Sequence, residues 1–266
     1  MRVRQRKTDR FIELDVLRGF AIIGMIFLHI IWDLDYYGVC PLNRELYRFQ
    51  FIIPSMFLLL VGICLSVNYV KNKEGSGKKL WFRLLKRGAW IFALGVLLTI
   101  VSLVIAPERP IVFGILHCIG LGIILSIIFL RLRTYNILIG MAVVMFYLLS
   151  GNVFVVENPS LFQLVLGFHQ SNVFEYTIDY FPIMPWFGVS LIGTGLGNIF
   201  YDGGNRKFGV PKFLKNSEYK IIKILSIAGQ KPLIIYLVHQ PVITGLLFLC
   251  LNGPAYIASI LALLGF

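Results

Sequence analysis

The chain has 266 residues, 58% of them hydrophobic and 14% charged, with a mean hydropathy of +0.80, which excludes a soluble globular domain and defines an integral membrane protein. A formal net charge of +12 would suggest nucleic acid in a soluble protein, but in a membrane protein it reports basic loops kept on the cytoplasmic side, so no nucleic-acid partner is expected. Cys40, Cys64, Cys118 and Cys250 show no CxxC spacing, which excludes a locally encoded metal knuckle or redox pair.

A membrane-spanning helix needs about 20 mostly apolar residues. On that criterion the sequence predicts seven spans, at 11–34, 49–70, 88–106, 111–130, 135–156, 180–201 and 231–251. The basic start MRVRQRK has the look of a signal peptide, but the apolar stretch that follows outruns an h-region and no small-residue cleavage site closes it. It is read as the first transmembrane helix. After Asn252, Gly253 and Pro254 comes AYIASILALLGF, whose twelve residues are too few to span unaided, so an interfacial or re-entrant tail is expected. The loops at 151–179 and 202–230 are too short to hold a soluble core. The expected fold class is therefore all-α, a polytopic membrane helical bundle, and residues 1–266 form a single transmembrane domain.

Lysine and arginine orient the bundle. Five precede the first span, seven lie between Lys71 and Arg87, Arg131 and Arg133 add two, and seven run from Arg206 to Lys231, whereas the alternate loops hold only Arg44, Arg48 and Arg109. By the positive-inside rule the N-terminus is cytoplasmic and the C-terminus outside. No internal or inverted repeat is legible, which weakens a secondary-transporter reading.

The first span holds the chemistry. At about 100° per residue, the interval from Arg18 to His29 is three turns plus about 20°, so both side chains share one face, roughly 16 Å apart along the axis. Asp15 lies three residues before Arg18 and Asp33 four after His29, within about 40° of the same stripe, while Asp35 points elsewhere. Charges at membrane depth cost a few kcal/mol and mark functional sites by default. The bland alternative is an interfacial Asp15–Arg18 pair, a snorkelling Arg18 and an Asp33 among outer headgroups. Chemically, an imidazole with a carboxylate partner suits a general base, which assigns catalysis to His29 with Asp33 as its orienter. An arginine half a membrane away suits a phosphate. His29 and Asp33 alone make no metal site, because no second histidine pair has comparable spacing.

The stretch ELDVLRGFAIIGMIFLHIIWDL resembles the first-helix signature of the heparan-alpha-glucosaminide N-acetyltransferase catalytic-domain family. The Arg18-x10-His29 spacing is also similar to that of the acyltransferase-three family of membrane sugar O-acetyltransferases. FIIPSMFLLLVGICLS, GILHCIGLG, PIMPWFGVSLIGTGLG and GQKPLIIYLVHQP continue the resemblance in order over nearly the whole chain. The resemblance implies acetyl transfer across the membrane, from cytoplasmic acetyl-CoA to a sugar amine or hydroxyl on the outer side. Carried over, His29 is the base or transient acetyl carrier and Arg18 stands near the CoA phosphates, with Asp15 beside it.

Arg83 and Arg87 lead into the third span and are placed with the CoA phosphates, although positive-inside bias explains them without a ligand. On the acceptor side stand Trp32, His117 in GILHCIGLG, Trp186 in the outer half of the sixth span, which it breaks together with Pro182 and Pro185, and His239 in YLVHQP. Each has a structural alternative: a bundle hydrogen bond for His117, an aromatic belt for Trp186, a kink at Pro241 beside His239 and Gln240. His169 is read as a solvated loop residue. No phosphate-binding glycine loop is present, so side chains and helix ends would hold the nucleotide. The expected partners are acetyl-CoA, a saccharide or amine acceptor and membrane lipid, in a prokaryotic cell membrane, with a homodimer left open. A proton-coupled transporter or exporter using His29, Asp33 and Arg18 as a relay is the rival reading, and a noncatalytic membrane scaffold a third.

Overall fold

Apolar runs bounded by charged or glycine-rich joints give helices throughout. The computed structural model describes residues 10–40, 49–72, 77–202, 205–211, 214 and 219–263. Of the residues used to orient the bundle, Arg2, Arg4, Arg6, Lys7, Arg44, Arg48, Lys73, Lys212 and Lys215 lie outside the described residues. The helices are α1 (Ile12–Tyr36), α2 (Phe49–Lys71), α3 (Gly77–Ile105), α4 (Ile115–Phe129), α5 (Asn136–Leu149), α6 (Leu161–Leu166), α7 (Val173–Tyr176), α8 (Ile183–Phe200), α9 (Lys220–Gln230) and α10 (Pro232–Leu263). Strands β1 (Tyr201–Asp202) and β2 (Asn205–Arg206) form a minimal hairpin after α8. The expected all-α membrane bundle is what the chain forms.

Six stretches among the described residues are long and apolar enough to cross a membrane, not the seven expected. The difference falls at Ile115–Leu149, one run of 35 residues. Within it α4 has 15 residues and α5 has 14, each rising only about 22 Å and short of the roughly 30 Å hydrocarbon core. The 3-10 turn Leu130–Tyr135 joins them and breaks at Arg133, where φ is 49° and ψ is −119°. A second difference is at the C-terminus, where α10 continues to Leu263 through Pro254 in place of a separate tail. A proline inside a helix removes a single backbone donor while keeping a helical φ, so the long apolar runs on either side carry the helix through.

The chain divides into two compact units, Met1–Pro54 with Val210–Phe266, and Ser55–Gly209. In the second unit α3 lies along α4 and α5 along α8. Gly88 and Gly120 set the first crossing: a Cβ on Gly120 would stand 2.5 Å from the Phe92 nitrogen and one on Gly88 2.7 Å from the Gly120 oxygen, so the two backbones touch. The segment expected to be the outer loop is ordered. It carries α6 and α7, its Val155 and His169 pair as a parallel bridge, and Tyr180 bridges Phe113. The Tyr180 hydroxyl donates to the Leu164 and Phe168 carbonyls. Burial pushes that phenol above its ordinary pKa, which keeps it a proton donor. Asp179 accepts from the Ile115 N–H at 3.1 Å, putting a carboxylate at the N-terminus of α4 where the helix dipole favours it.

In the first unit α1 packs along α9 and against α10. Helix α9 was missed by a search for 20-residue apolar runs because it has 11 residues and two lysines, yet it approaches α1 backbone to backbone. A Cβ on Gly19 would lie 1.9 Å from the Leu225 oxygen, and one on Gly229 1.7 Å from the Asp15 oxygen. Residues 15 and 19 on α1 thus meet residues 225 and 229 on α9, each pair one turn apart. Gly229→Ala is expected to lower stability by about 1–3 kcal/mol, seen as a lower melting midpoint in detergent, because neither neighbour is a side chain that can turn aside. Gly245→Ala, facing open space, should not.

Candidate active site

The stripe expected on α1 has partners from α9 at one end and α10 at the other. At the first end, the Arg18 guanidinium donates from Nη1 to Asp15 Oδ1 at 2.6 Å and to the Gly229 carbonyl at 3.0 Å. The side chains of Arg18 and Asp15 are 23% and 10% exposed, so the pair is largely withdrawn from solvent. The α1–α9 contact explains both bonds: Gly229 has no side chain, which leaves its carbonyl within reach of an arginine one turn from Asp15. Arg10 adds a bond from Nη1 to Gln230 Oε1 at 2.9 Å.

At the other end, about 16 Å along the axis, His29 faces His239 of α10, with ring centroids 4.9 Å apart and planes tilted by 57°. Trp32 stands edge-on to His29 at 6.3 Å. Asp33 does not bond His29, the expected arrangement. Its carboxylate accepts from Gln240 Nε2, at 3.1 Å to Oδ1 and 3.0 Å to Oδ2. The physical reason is reach: at i and i+4 a short aspartate and an imidazole project in parallel, whereas the Gln240 amide from a neighbouring helix points straight at the carboxylate. The partner of His29 is a second imidazole, and the orienter of Asp33 is Gln240.

His239 is 8% exposed, and its Nδ1 bonds the Tyr236 carbonyl at 2.5 Å. A bond to a carbonyl requires the proton on Nδ1, so the neutral ring presents Nε2 as a bare acceptor. That Nε2 is buried without a hydrogen-bond partner, as are Trp32 Nε1 and Gln240 Oε1. Three orphaned polar atoms, one donor and two acceptors, thus belong to residues gathered around His29 and Asp33. Buried polar atoms are nearly always satisfied, and a cluster that is not fits a ligand carrying both donors and acceptors.

The remaining predicted residues lie in the second unit. Arg83, on the first half of α3, donates from Nη2 to Asn72 Oδ1 at 3.1 Å, and Arg87 is exposed one turn later. His117 is buried and works as a cap: the Gly114 N–H donates to its Nδ1 at 3.2 Å, its ring stacks on Phe113 at 5.3 Å, and Phe92 meets it edge-on at 5.2 Å. This is the bundle hydrogen bond weighed as its structural alternative. Trp186 is 8% exposed and tilts against Phe181 at 4.9 Å, so its ring is inside the unit and not in an interfacial belt. His169 is not merely solvated: Nδ1 bonds the Gln170 carbonyl at 2.8 Å and Nε2 lies 3.4 Å from the Tyr147 hydroxyl. Gly229 is the residue that sequence reasoning passed over, and Gln240, named there only as the polar neighbour of His239, is the partner of Asp33. Gln240 is signalled by polarity next to His239 in an apolar helix, and Gly229 by nothing local.

A helical membrane protein with two facing histidines and a carboxylate at one helix junction is equipped for proton-transfer chemistry in a low-dielectric interior. The family model described as heparan-alpha-glucosaminide N-acetyltransferase, catalytic, matches residues 10–241. The chain belongs to that family of membrane acetyltransferases, and the matched stretch encloses both His29 and His239. No curated protein and no solved structure matches the chain.

Proposed function

We propose that this protein transfers an acetyl group from cytoplasmic acetyl-CoA to an amine or hydroxyl of a saccharide on the outer side of the membrane. The observation that carries the reading is the pairing of His29 with His239, whose Nε2 is a buried acceptor without a partner. In this reading the imidazole pair removes the acceptor proton as the acetyl carbon bonds the amine nitrogen or hydroxyl oxygen. The carbon–sulfur bond breaks, and the imidazolium returns that same proton to the departing sulfur, so that CoA leaves as its thiol and the imidazole is neutral again. Neutral His29 takes the proton, and His239 at 4.9 Å offers it a second site. Trp32 and Gln240 hold the acceptor's polar groups. Asp33, held by Gln240, stabilises the imidazolium electrostatically without touching it. Arg18, with Asp15, would meet the donor's phosphate end, and Arg83 and Arg87, in a basic run that the positive-inside rule assigns to the cytoplasm, would add positive potential for the donor. His117 and Trp186 support the bundle.

Gln240→Met is expected to lower acetyl transfer about tenfold, since a hydrogen bond to a carboxylate is worth roughly 1.5–3 kcal/mol. Gln240→Asn, which keeps the amide, should recover part of the loss. Isothermal calorimetry tests the donor assignment: the purified protein should bind acetyl-CoA with heat that saturates at one site per chain, and the absence of binding would overturn it.

A further inference from the structure

The turn between α4 and α5 contains a feature that the acetyl-transfer reading does not use. Arg133 adopts φ 49° and ψ −119°, the conformation of the first central residue of a type II′ turn, a position that glycine ordinarily fills. An L side chain there is strained, and such strain persists where surrounding structure fixes it. What fixes it is Asn136, fully buried, whose Nδ2 donates to the Arg133 carbonyl and to the Phe129 carbonyl, both at 2.9 Å. Two residues earlier, the Arg131 guanidinium lies over the Trp81 ring, 4.7 Å from its centroid. Both arginines line an open cavity of about 240 Å³ together with Tyr69 and Val70 from the end of α2.

Positive-inside bias accounts for arginines in such a turn, but not for one stacked on an indole beside a second whose backbone is pinned by a buried amide, both bordering one cavity. The guanidinium of Arg131, stacked on an indole, loses little conformational freedom on meeting an anion, and the exposed Arg133 side chain starts from a backbone that is already fixed, which favours binding. Two guanidinium groups bordering one cavity can donate to the tetrahedral oxygens of a phosphate, and the tyrosine that lines it with them supplies a ring for stacking or a hydroxyl for a further bond. The cavity volume suits a phosphate with part of the group that carries it.

We infer that the cavity formed by Tyr69, Val70, Arg131 and Arg133 is a phosphate-ester site. Two sources share that chemistry, a nucleotide such as the phosphorylated end of CoA and the headgroup of an anionic lipid. The site stands whether or not the acetyl-transfer reading does, because the residues that build it belong to no part of the His29 centre.

The full-length protein in phosphatidylcholine nanodiscs is titrated with CoA, and in parallel with spin-labelled phosphatidylglycerol as the lipid probe. Arg133→Gly is the decisive variant, because it removes the guanidinium and also places glycine where the backbone favours it. Arg133→Gly is expected to melt no lower than wild type, yet to weaken one of the two probes by about tenfold or more, and Arg131→Gln should weaken the same probe. Loss confined to CoA assigns the site to a nucleotide, and loss confined to phosphatidylglycerol assigns it to a lipid headgroup. Unchanged binding of both probes in both variants would overturn the inference, as would a wild-type protein that binds neither. Weakened binding that appears only together with lowered melting in both variants would overturn it as well, because the arginines would then be structural.

Discussion

Replacing His29 by glutamine is expected to lower the acetyl-transfer rate by about 10²- to 10⁴-fold, the range that a positioned general base supplies. Glutamine keeps a polar group of similar reach against His239 and introduces no cavity, so melting and acetyl-CoA binding should stay near wild type. The loss would then report proton acceptance and not folding. His239→Gln is expected to cost less, because His29 remains next to the acceptor while the second proton site is gone. If the two imidazoles act as a unit, the double variant should be no worse than His29→Gln alone, since groups serving one step are strongly non-additive. Rates from free-CoA release, with melting curves on the same preparations, check all three variants. A His29→Gln protein with wild-type rate would remove the imidazole pair from the reaction.

The second large effect is at Arg18. Its guanidinium is bonded to Asp15 and to the Gly229 carbonyl, so Arg18→Gln leaves a mostly buried carboxylate without its counter-ion at the α1–α9 contact. Breaking a buried pair by removing one partner costs roughly 3–5 kcal/mol, and partial exposure of the arginine places this one toward the lower end. Arg18→Gln alone therefore confounds stability with donor binding. The double variant Asp15→Asn with Arg18→Gln separates them, because it removes the orphaned charge and keeps side-chain shape. It is expected to recover most of the melting midpoint while acetyl-CoA binding stays weakened about tenfold or more, the worth of a charged contact to phosphate. Recovery of both would reduce Arg18 to a structural clasp between α1 and α9.

Much of this arrangement was legible before the structure. The spans at α1, α2 and α8 emerge within about three residues from hydropathy, because lipid-length apolar runs bounded by charge leave little choice of element. The stripe from Asp15 to Asp33 follows from helical periodicity alone. Helix α3 begins eleven residues earlier than its apolar run, at Gly77, because Lys78, Lys79, Arg83, Lys86 and Arg87 form an exposed basic extension that a hydropathy window cannot see. Helix α9 escaped for the same reason and with larger consequence, since its Gly229 sets the environment of Arg18. The partners of the first helix could not be read at all. His29 and His239 are 210 positions apart, and Asp33 and Gln240 are 207 apart, so these pairings are made by tertiary packing that no local spacing encodes. The same holds for Arg133, where a basic residue counted for topology turned out to occupy a glycine conformation.

In the proposed reaction an acetyl group passes from a donor on the cytoplasmic side to an acceptor on the other, through the His29–His239 centre. Proteoliposomes test it most directly when the cytoplasmic face is turned outward, acetyl-CoA with labelled acetyl is added outside, and glucosamine is sealed within. The account predicts labelled N-acetylglucosamine inside the vesicles in step with free CoA outside, and neither product with His29→Gln. Proton-coupled movement of the sugar without any release of CoA would contradict it and identify the paired histidines as a transport relay.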